Sequence, residues 1–402
     1  MSAQLDSEAA NPHFKNATTK VVITKIPRLR PSQSVPFLPR FRLLSSNEHA
    51  PSGARQPRTV PCALTQALFT AGLAFAASGA PAFAATATPA PQATAAYEYW
   101  LSGNPADAAP PKTRAGLLLS GGGGDVTAAW KWFVACAGGG DIVVLRASGG
   151  DGYQSYLFEK IGGVDSVETI KFNDASAAHD PRVLEIIARA DGIFLAGGDQ
   201  SRYVKFWKGS PVGAALNAHL RAGKPLGGSS AGLAVLGQYY FSALEDSITS
   251  DAALLDPFDR RITIGRDFIA APELVGVLTD SHFMARQRLG RLIAFLGRVA
   301  HEEKPARLVG LGIDEGTALC VEPGGLARVF TEKNGLAWLV ALSQLPERIA
   351  PGQPLHIQAV RVTGIGPDSS LDLAKFDVAR PAALRTVAAA DSKLRDSRES
   401  TK

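Results

Sequence analysis

Cysteine is scarce here: the 402 residues contain 3, and none forms a C-x-x-C pair or accompanies a His-x-x-x-His spacing. A zinc site therefore has no ligand pattern to rest on, and no metal or cofactor is expected. Cys136 and Cys320 both lie in apolar runs (Phe133-Val134-Ala135-Cys136 and Ala318-Leu319-Cys320-Val321), which favours buried free thiols over a bridge. A nucleotide loop of the form G-x-x-x-x-G-K-[S/T] is missing. The run Ser120–Gly124 is too dense in glycine for a dinucleotide fingerprint, so it reads as a loop shaping a cleft. A strong charge of one sign is also lacking, despite a formal net charge of +5 and a pI near 9.1. Residues 1–84 hold 9 of the 42 Lys/Arg and 3 of the 37 Asp/Glu, and the remaining 33 bases and 34 acids nearly cancel. A near-neutral body gives no reason to expect a nucleic-acid partner. No internal repeat is present.

The basic N-terminal segment reads as an address. Arg55 and Arg58 precede an alanine-rich apolar run, Ala63 to Ala77, which leads through Ser78-Gly79-Ala80-Pro81 to Ala82-Phe83-Ala84. Basic flank, short apolar run and small-x-small site make a secretory signal, with cleavage expected after Ala84. The run is shorter than the ~20 residues a membrane-spanning helix needs, so no stable membrane association is expected after cleavage. A secreted or periplasmic location follows as an expectation. Residues 1–54 exceed a normal n-region, which points to a start codon assigned too far upstream. The expected organisation is an extension plus signal peptide over 1–84, a flexible low-complexity linker over 85–96, a single domain over 97–380 with a β-rich C-terminal part, and a charged, disordered tail over 381–402.

From Tyr97 onward, short apolar runs alternate with helical patterns. Strands are predicted at Ala115–Leu119, Ile142–Leu145, Val167–Phe172, Gly192–Ala196, Leu226–Gly228, Leu274–Thr279 and Leu308–Ile313. Helices are predicted at Val126–Ala137, Gly152–Ile161, Pro181–Arg189, Ser201–Ala222, Ala231–Tyr239 and Ala285–His301. This alternation predicts an α/β fold, a mainly parallel sheet with helices on both faces. Thr317–Val321, Leu326–Phe330 and Gly335–Val340 are joined by Pro-Gly-Gly and Lys-Asn-Gly turns and predict an antiparallel extension, followed by a strand at Leu355–Val362.

Chemistry concentrates at the carboxyl ends of these strands, where ligands bind in such folds. Gly228-Ser229-Ser230-Ala231-Gly232 is a G-x-S-x-G pentapeptide, which suits a sharp strand-to-helix turn that lifts Ser230 clear of the sheet. Gly197-Gly198-Asp199-Gln200 can expose a backbone N–H, though alone it reads as a tight turn. Thr279-Asp280-Ser281-His282-Phe283 offers His282 as a general base, followed by Arg286, Arg288 and Arg291. Those arginines cannot all share one helix face. Asp314-Glu315 places an acidic pair after another strand, suited to orienting an imidazole. His179, His219, His301 and His356 are weaker candidates. An α/β-hydrolase order with Asp256 or Asp259 as the acid is formally open, but 52 residues between serine and histidine leave little room for it.

Taken in order, these four blocks resemble peptidase family S51, whose members include cyanophycinases and aspartyl dipeptidases. The resemblance runs over roughly residues 113–320. It implies a fold similar to class I glutamine amidotransferases (flavodoxin-like) and a Ser230, His282, Glu315 triad. It also implies oxyanion-hole amides from Gly198 and Ala231, and substrate contacts from Gln200, Asp280, Arg286 and Arg291. The implied activity is secreted serine-type hydrolysis of aspartyl peptides or cyanophycin; the sequence leaves the oligomeric state open, a homodimer among the options. An α-aspartyl dipeptidase and a non-catalytic amidotransferase-like binding domain are the alternatives. Two departures bear on substrate: Ser281 stands where cyanophycinases carry glutamine, and an Asp- and Arg-rich insert near Asp246–Arg266 lengthens the gap before the histidine.

Overall fold

In a computed structural model of the protein, residues 92–106 and 111–396 are described; the expected signal peptide and the last six residues lie outside them. The backbone forms two mixed sheets. In the first, strands Ser166–Phe172, Asp141–Arg146, Gly192–Leu195, Leu226–Ser229 and Leu117–Ser120 run parallel to one another in that spatial order. The inner strands are apolar runs buried along their whole length, as strands covered on both faces require. Successive residues serve opposite faces: Leu117 and Leu119 join one core and Leu118 another, and Ile193 and Leu195 part from Phe194 in the same way.

Antiparallel strands flank this parallel centre. Tyr97–Gly103 pairs with Ser166–Phe172 on one side, and Thr317–Val321 pairs with Leu117–Ser120 on the other. The second sheet is parallel only where Tyr239–Phe241, Val277–Asp280 and Val309–Ile313 lie side by side. Among the described residues antiparallel pairings outnumber parallel ones, so the expected mainly parallel sheet is corrected to mixed sheets. The physical reason lies in the C-terminal third, whose short hairpin connections allow only antiparallel neighbours.

Other boundaries move for local reasons. The helix expected over Ser201–Ala222 is two helices, Gln200–Trp207 and Pro211–Arg221, separated at Gly209 (φ 73) and restarted by Ser210, whose hydroxyl accepts the Gly213 N–H. The helix expected over Ala231–Tyr239 is one turn, Ala231–Ala234, before the strand Tyr239–Phe241. The expected meander is split between sheets: Thr317–Val321 and Leu326–Thr331 join the first, whereas Ala337–Leu342 pairs with Val309–Ile313 in the second. Ala383–Ala390 and Lys393–Asp396 form a hairpin on the second sheet, in a stretch expected to be a disordered tail. Cys136 and Cys320 are free and buried, and burial pushes the Cys136 thiol up to about 11 and that of Cys320 higher still.

Candidate active site

Ser230 follows the strand Leu226–Ser229 with φ 53 and ψ −110, a sparsely populated conformation for a residue carrying a Cβ. Its flanking glycines make that turn sterically possible. A Cβ at Gly228 would lie 2.5 Å from the Gly232 carbonyl carbon, and one at Gly232 would lie 2.0 Å from the Leu195 oxygen. The G-x-S-x-G spacing is thus a close-packing requirement. The Ser230 N–H donates to Ser120 O at 3.1 Å, which ties the turn to the neighbouring strand.

His282 follows the strand Val277–Asp280 in the second sheet, also at positive φ (46). Its N–H donates to Gly121 O at 2.9 Å, and the next N–H, of Phe283, donates to Ile313 O at 3.1 Å. This fixes the ring between two other side chains. Ser230 Oγ lies 2.7 Å from His282 Nε2, and Glu315 Oε1 lies 2.6 Å from His282 Nδ1. Burial lowers the His282 pKa below its ordinary value, partly opposed by the Glu315 hydrogen bond, so the ring is neutral near pH 7. The same hydrogen bond holds the Glu315 carboxyl below the usual range. A neutral imidazole oriented by a carboxylate accepts a serine proton and carries the resulting charge. The other acid of the pair is structural: Asp314 accepts the Met284 and Leu336 N–H groups and the Trp338 indole N–H, each at 3.0 Å.

The glycine run closes over these groups. A Cβ at Gly122 would lie 2.7 Å from His282 Cε1 and Nε2, and one at Gly123 would lie 2.6 Å from Glu315 Cβ. Gly316 N–H donates to Gly122 O at 2.8 Å and Lys333 Nζ to Gly123 O at 2.6 Å. Sequence reasoning gave this loop a place at the cleft but missed its contact with His282 and Glu315; its glycine density was the available signal. A cleft of about 270 Å³ opens here, lined among others by Gly122, Gly197, Ser230 and His282. Gly198 is exposed at φ 149, and Ala231 begins the turn after the serine. Among the described residues neither N–H donates to a protein acceptor.

The four residues expected to contact substrate diverge. Asp280 is 2 % exposed, and its carboxylate takes Arg291 Nε at 2.8 Å, Arg291 Nη2 at 2.5 Å, Arg288 Nη1 at 3.2 Å and the Ser281 N–H at 2.9 Å. Asp280 is therefore corrected to an internal anchor with no open face for substrate. Arg291 is tied to it and 3 % exposed, yet borders a pocket of about 260 Å³ together with Arg261, Arg286 and Arg288. Ser247, Thr249 and Ser250 of the insert line the same pocket. Burial draws the Arg288 guanidinium down to about 10, still charged at neutral pH. Arg286 is exposed, and its N–H donates to His282 O at 3.0 Å. Gln200 starts its helix and donates to Phe241 O at 3.4 Å. Both ring nitrogens of His282 are engaged by Ser230 and Glu315, and Asp259 is held by Arg261 at 2.9 and 2.6 Å, so neither Asp256 nor Asp259 is the acid on that ring. Among the described residues no group of His, Cys, Asp and Glu is arranged to hold a metal.

A hydroxyl, an imidazole and a carboxylate joined by two hydrogen bonds form the arrangement of serine-type hydrolases. In comparison with known proteins, residues 154–329, the stretch that holds Ser230, His282 and Glu315, match the model of peptidase family S51. A cyanophycinase of Synechococcus elongatus is 34% identical over 175 residues, 43% of this chain and 49% of that protein. A cyanophycinase of Nostoc sp. is 29% identical over 211 residues, 51% of this chain and 64% of that protein. The chain thus spans about half to just under two thirds of these relatives. Among solved structures, a peptidase from an acI-B1 Actinobacterium aligns with a TM-score of 0.42 and 17% identity, over 64% of this chain and 97% of that one.

Proposed function

We propose that this chain is a serine-type peptidase of aspartyl peptides, with Ser230 as nucleophile, His282 as base and Glu315 as the orienting acid. The observation that carries the reading is the unbroken relay from Ser230 Oγ through both ring nitrogens of His282 to Glu315, at 2.7 and 2.6 Å. In the proposed reaction His282 Nε2 takes the hydroxyl proton as Ser230 Oγ attacks the peptide carbonyl. The Gly198 and Ala231 amides hold the oxyanion, and the proton passes to the leaving amine. Water, activated by the same imidazole, then releases the acyl group.

The arginine-lined pocket supports an acidic substrate. Two guanidinium groups share the single Asp280 carboxylate, and Arg286 adds a further charge beside the histidine. That surplus suits aspartyl carboxylates, which arginine binds with paired hydrogen bonds. Asp280 is not free to receive an arginine side chain, so recognition rests on the aspartyl part, whether in cyanophycin, in β-aspartyl-arginine or in an α-aspartyl dipeptide. A flavodoxin-like, amidotransferase-type core and export with cleavage after Ala84 complete the proposal; N-terminal sequencing of exported protein tests the cleavage.

The deciding experiment measures turnover of cyanophycin, β-aspartyl-arginine and α-aspartyl dipeptides by the wild type and Ser230→Ala. Activity on at least one, lost in the variant, is the expected result. Undiminished turnover in Ser230→Ala overturns the nucleophile, and no turnover of any of the three overturns the substrate class.

A further inference from the structure

The turn that presents the Gly198 amide is held from beneath by a buried phenol. After the strand Gly192–Leu195 the chain passes through Ala196, Gly197 and Gly198 to the helix Gln200–Trp207, which Asp199 caps by accepting the Ser201 N–H at 2.9 Å. Tyr203 on that helix is 0 % exposed and stacks on Trp207, ring centroids 4.3 Å apart and 13° from parallel. Its hydroxyl is shared between two carbonyls of the turn, Ala196 O at 2.7 Å and Gly197 O at 3.2 Å.

The second of those contacts has a directional consequence. A trans peptide is planar, with its C=O and N–H pointing opposite ways. The Gly197 carbonyl is turned inward to Tyr203, so the N–H of the same peptide, which belongs to Gly198, is turned away from Tyr203 and the interior. Gly197 itself borders the cleft, and a Cβ there would lie 3.4 Å from Ser230 Cβ. A flip of this peptide would remove the donor and aim a carbonyl at the cleft. Glycine at 198 (φ 149) leaves the backbone intrinsically free to make that flip.

We infer that Tyr203 is a positioning residue that locks the Gly197–Gly198 peptide with its N–H toward the oxyanion, so that the hole is formed before substrate arrives. The inference rests on the proposed Ser230 chemistry. Tyr203 touches no substrate and acts only through the orientation of one amide.

The test is Tyr203→Phe in the full chain, which keeps the ring and its stacking and deletes only the hydroxyl. Removing an oxyanion donor costs about 10²–10³ in kcat, and an unlocked donor that still samples the right orientation is expected to cost about 10–100-fold. KM on β-aspartyl-arginine, or on whichever of the three substrates the wild type turns over, should stay within about twofold, because the donor acts on the transition state. A second readout uses an aspartyl aldehyde and the matching alcohol as inhibitors. The aldehyde adds Ser230 Oγ to its carbonyl carbon, the hydroxyl proton passing to His282, and so develops charge in the hole; the alcohol does not. Tyr203→Phe should weaken the aldehyde by the same factor as kcat and leave the alcohol unchanged, and this ratio does not depend on how much of the variant is folded. An unchanged ratio with Ser230-dependent activity intact overturns the role of Tyr203 alone. Activity that survives Ser230→Ala, or a wild type that neither turns over the peptides nor binds the aldehyde, overturns the parent reading and this inference with it.

Discussion

Replacing Asp280 by asparagine separates an anchor from a substrate contact. Burial by itself would raise the Asp280 pKa, but the Arg291 and Arg288 guanidinium groups and the Ser281 N–H overcome it and hold the carboxyl ionised. The side chains of Asp280 and Arg291 are each 3% exposed and that of Arg288 is 13% exposed, so the neutral variant leaves two cations in a poorly solvated place without their counter-charge. Breaking a buried pair by removing one partner costs about 3–5 kcal/mol, and asparagine keeps one acceptor, which favours the lower end. At roughly 2 °C per kcal/mol for a domain of this size, Tm should fall by about 6 °C. The same carboxylate fixes the Ser281 N–H immediately before His282, so kcat measured well below Tm should also fall, with KM little changed. Calorimetry and steady-state kinetics on the proposed aspartyl substrate read both effects. A variant with unaltered Tm and a KM raised about tenfold would refute the reasoning and return Asp280 to the substrate.

Gly122→Ala pushes a methyl group to 2.7 Å from the His282 ring, and a displacement near 1 Å should cost about 10²-fold in kcat. Gly150→Ala, where nothing lies within 4 Å, is the silent control; equal activity of the two variants sinks the packing argument. Glu315→Gln should lower kcat by about 10³–10⁴ while the fold persists, and full activity would remove Glu315 from the relay. Because burial lowers the His282 pKa, kcat/KM should be flat at neutral pH and fall only below about 6.5, the ordinary histidine value; an acid limb centred above pH 7 contradicts this. His219, buried with Nε2 2.9 Å from Pro225 O, has its pKa lowered to about 4, chiefly by burial. The unfolded chain then binds the proton first, so stability is full above about pH 6.5 and declines by roughly 3 kcal/mol as pH falls toward 4. Urea unfolding across that range, flattened in His219→Gln, checks the sign and size.

What the sequence made legible was local sterics. Gly228 and Gly232 mark the turn at Ser230 because no other residue fits there, and Asp180-Pro181 marks a helix start because Asp180 caps and Pro181 lacks the unneeded N–H, so Pro181–Arg189 falls where its pattern says. The alternation of apolar strands and helical patterns gave the parallel centre. Pairings decided at long range were not legible. Nothing in Val309–Ile313 and Thr317–Val321, three residues apart, tells that they enter different sheets. Asp280 failed as a substrate contact for the same reason, since an acid beside a histidine looks alike whether its partner is a ligand or a buried Arg291.

That change of sheet between Ile313 and Thr317 explains how the candidate site is assembled. Ser230 follows a strand of the first sheet and His282 a strand of the second, while Glu315 sits in the short crossing from one to the other. The glycine loop after Leu117–Ser120 then bonds across the seam, Gly121 O receiving the His282 N–H and Gly122 O the Gly316 N–H. Leu119 and Leu319 of one sheet and Leu311 and Ile313 of the other share a single core beneath it. Hydrogen bonds of 2.6 and 2.7 Å between residues 33 and 52 positions apart therefore need the two sheets to keep a fixed mutual position. Dense apolar packing supplies that rigidity, and side chains that touch neither serine nor histidine thereby control the alignment of both.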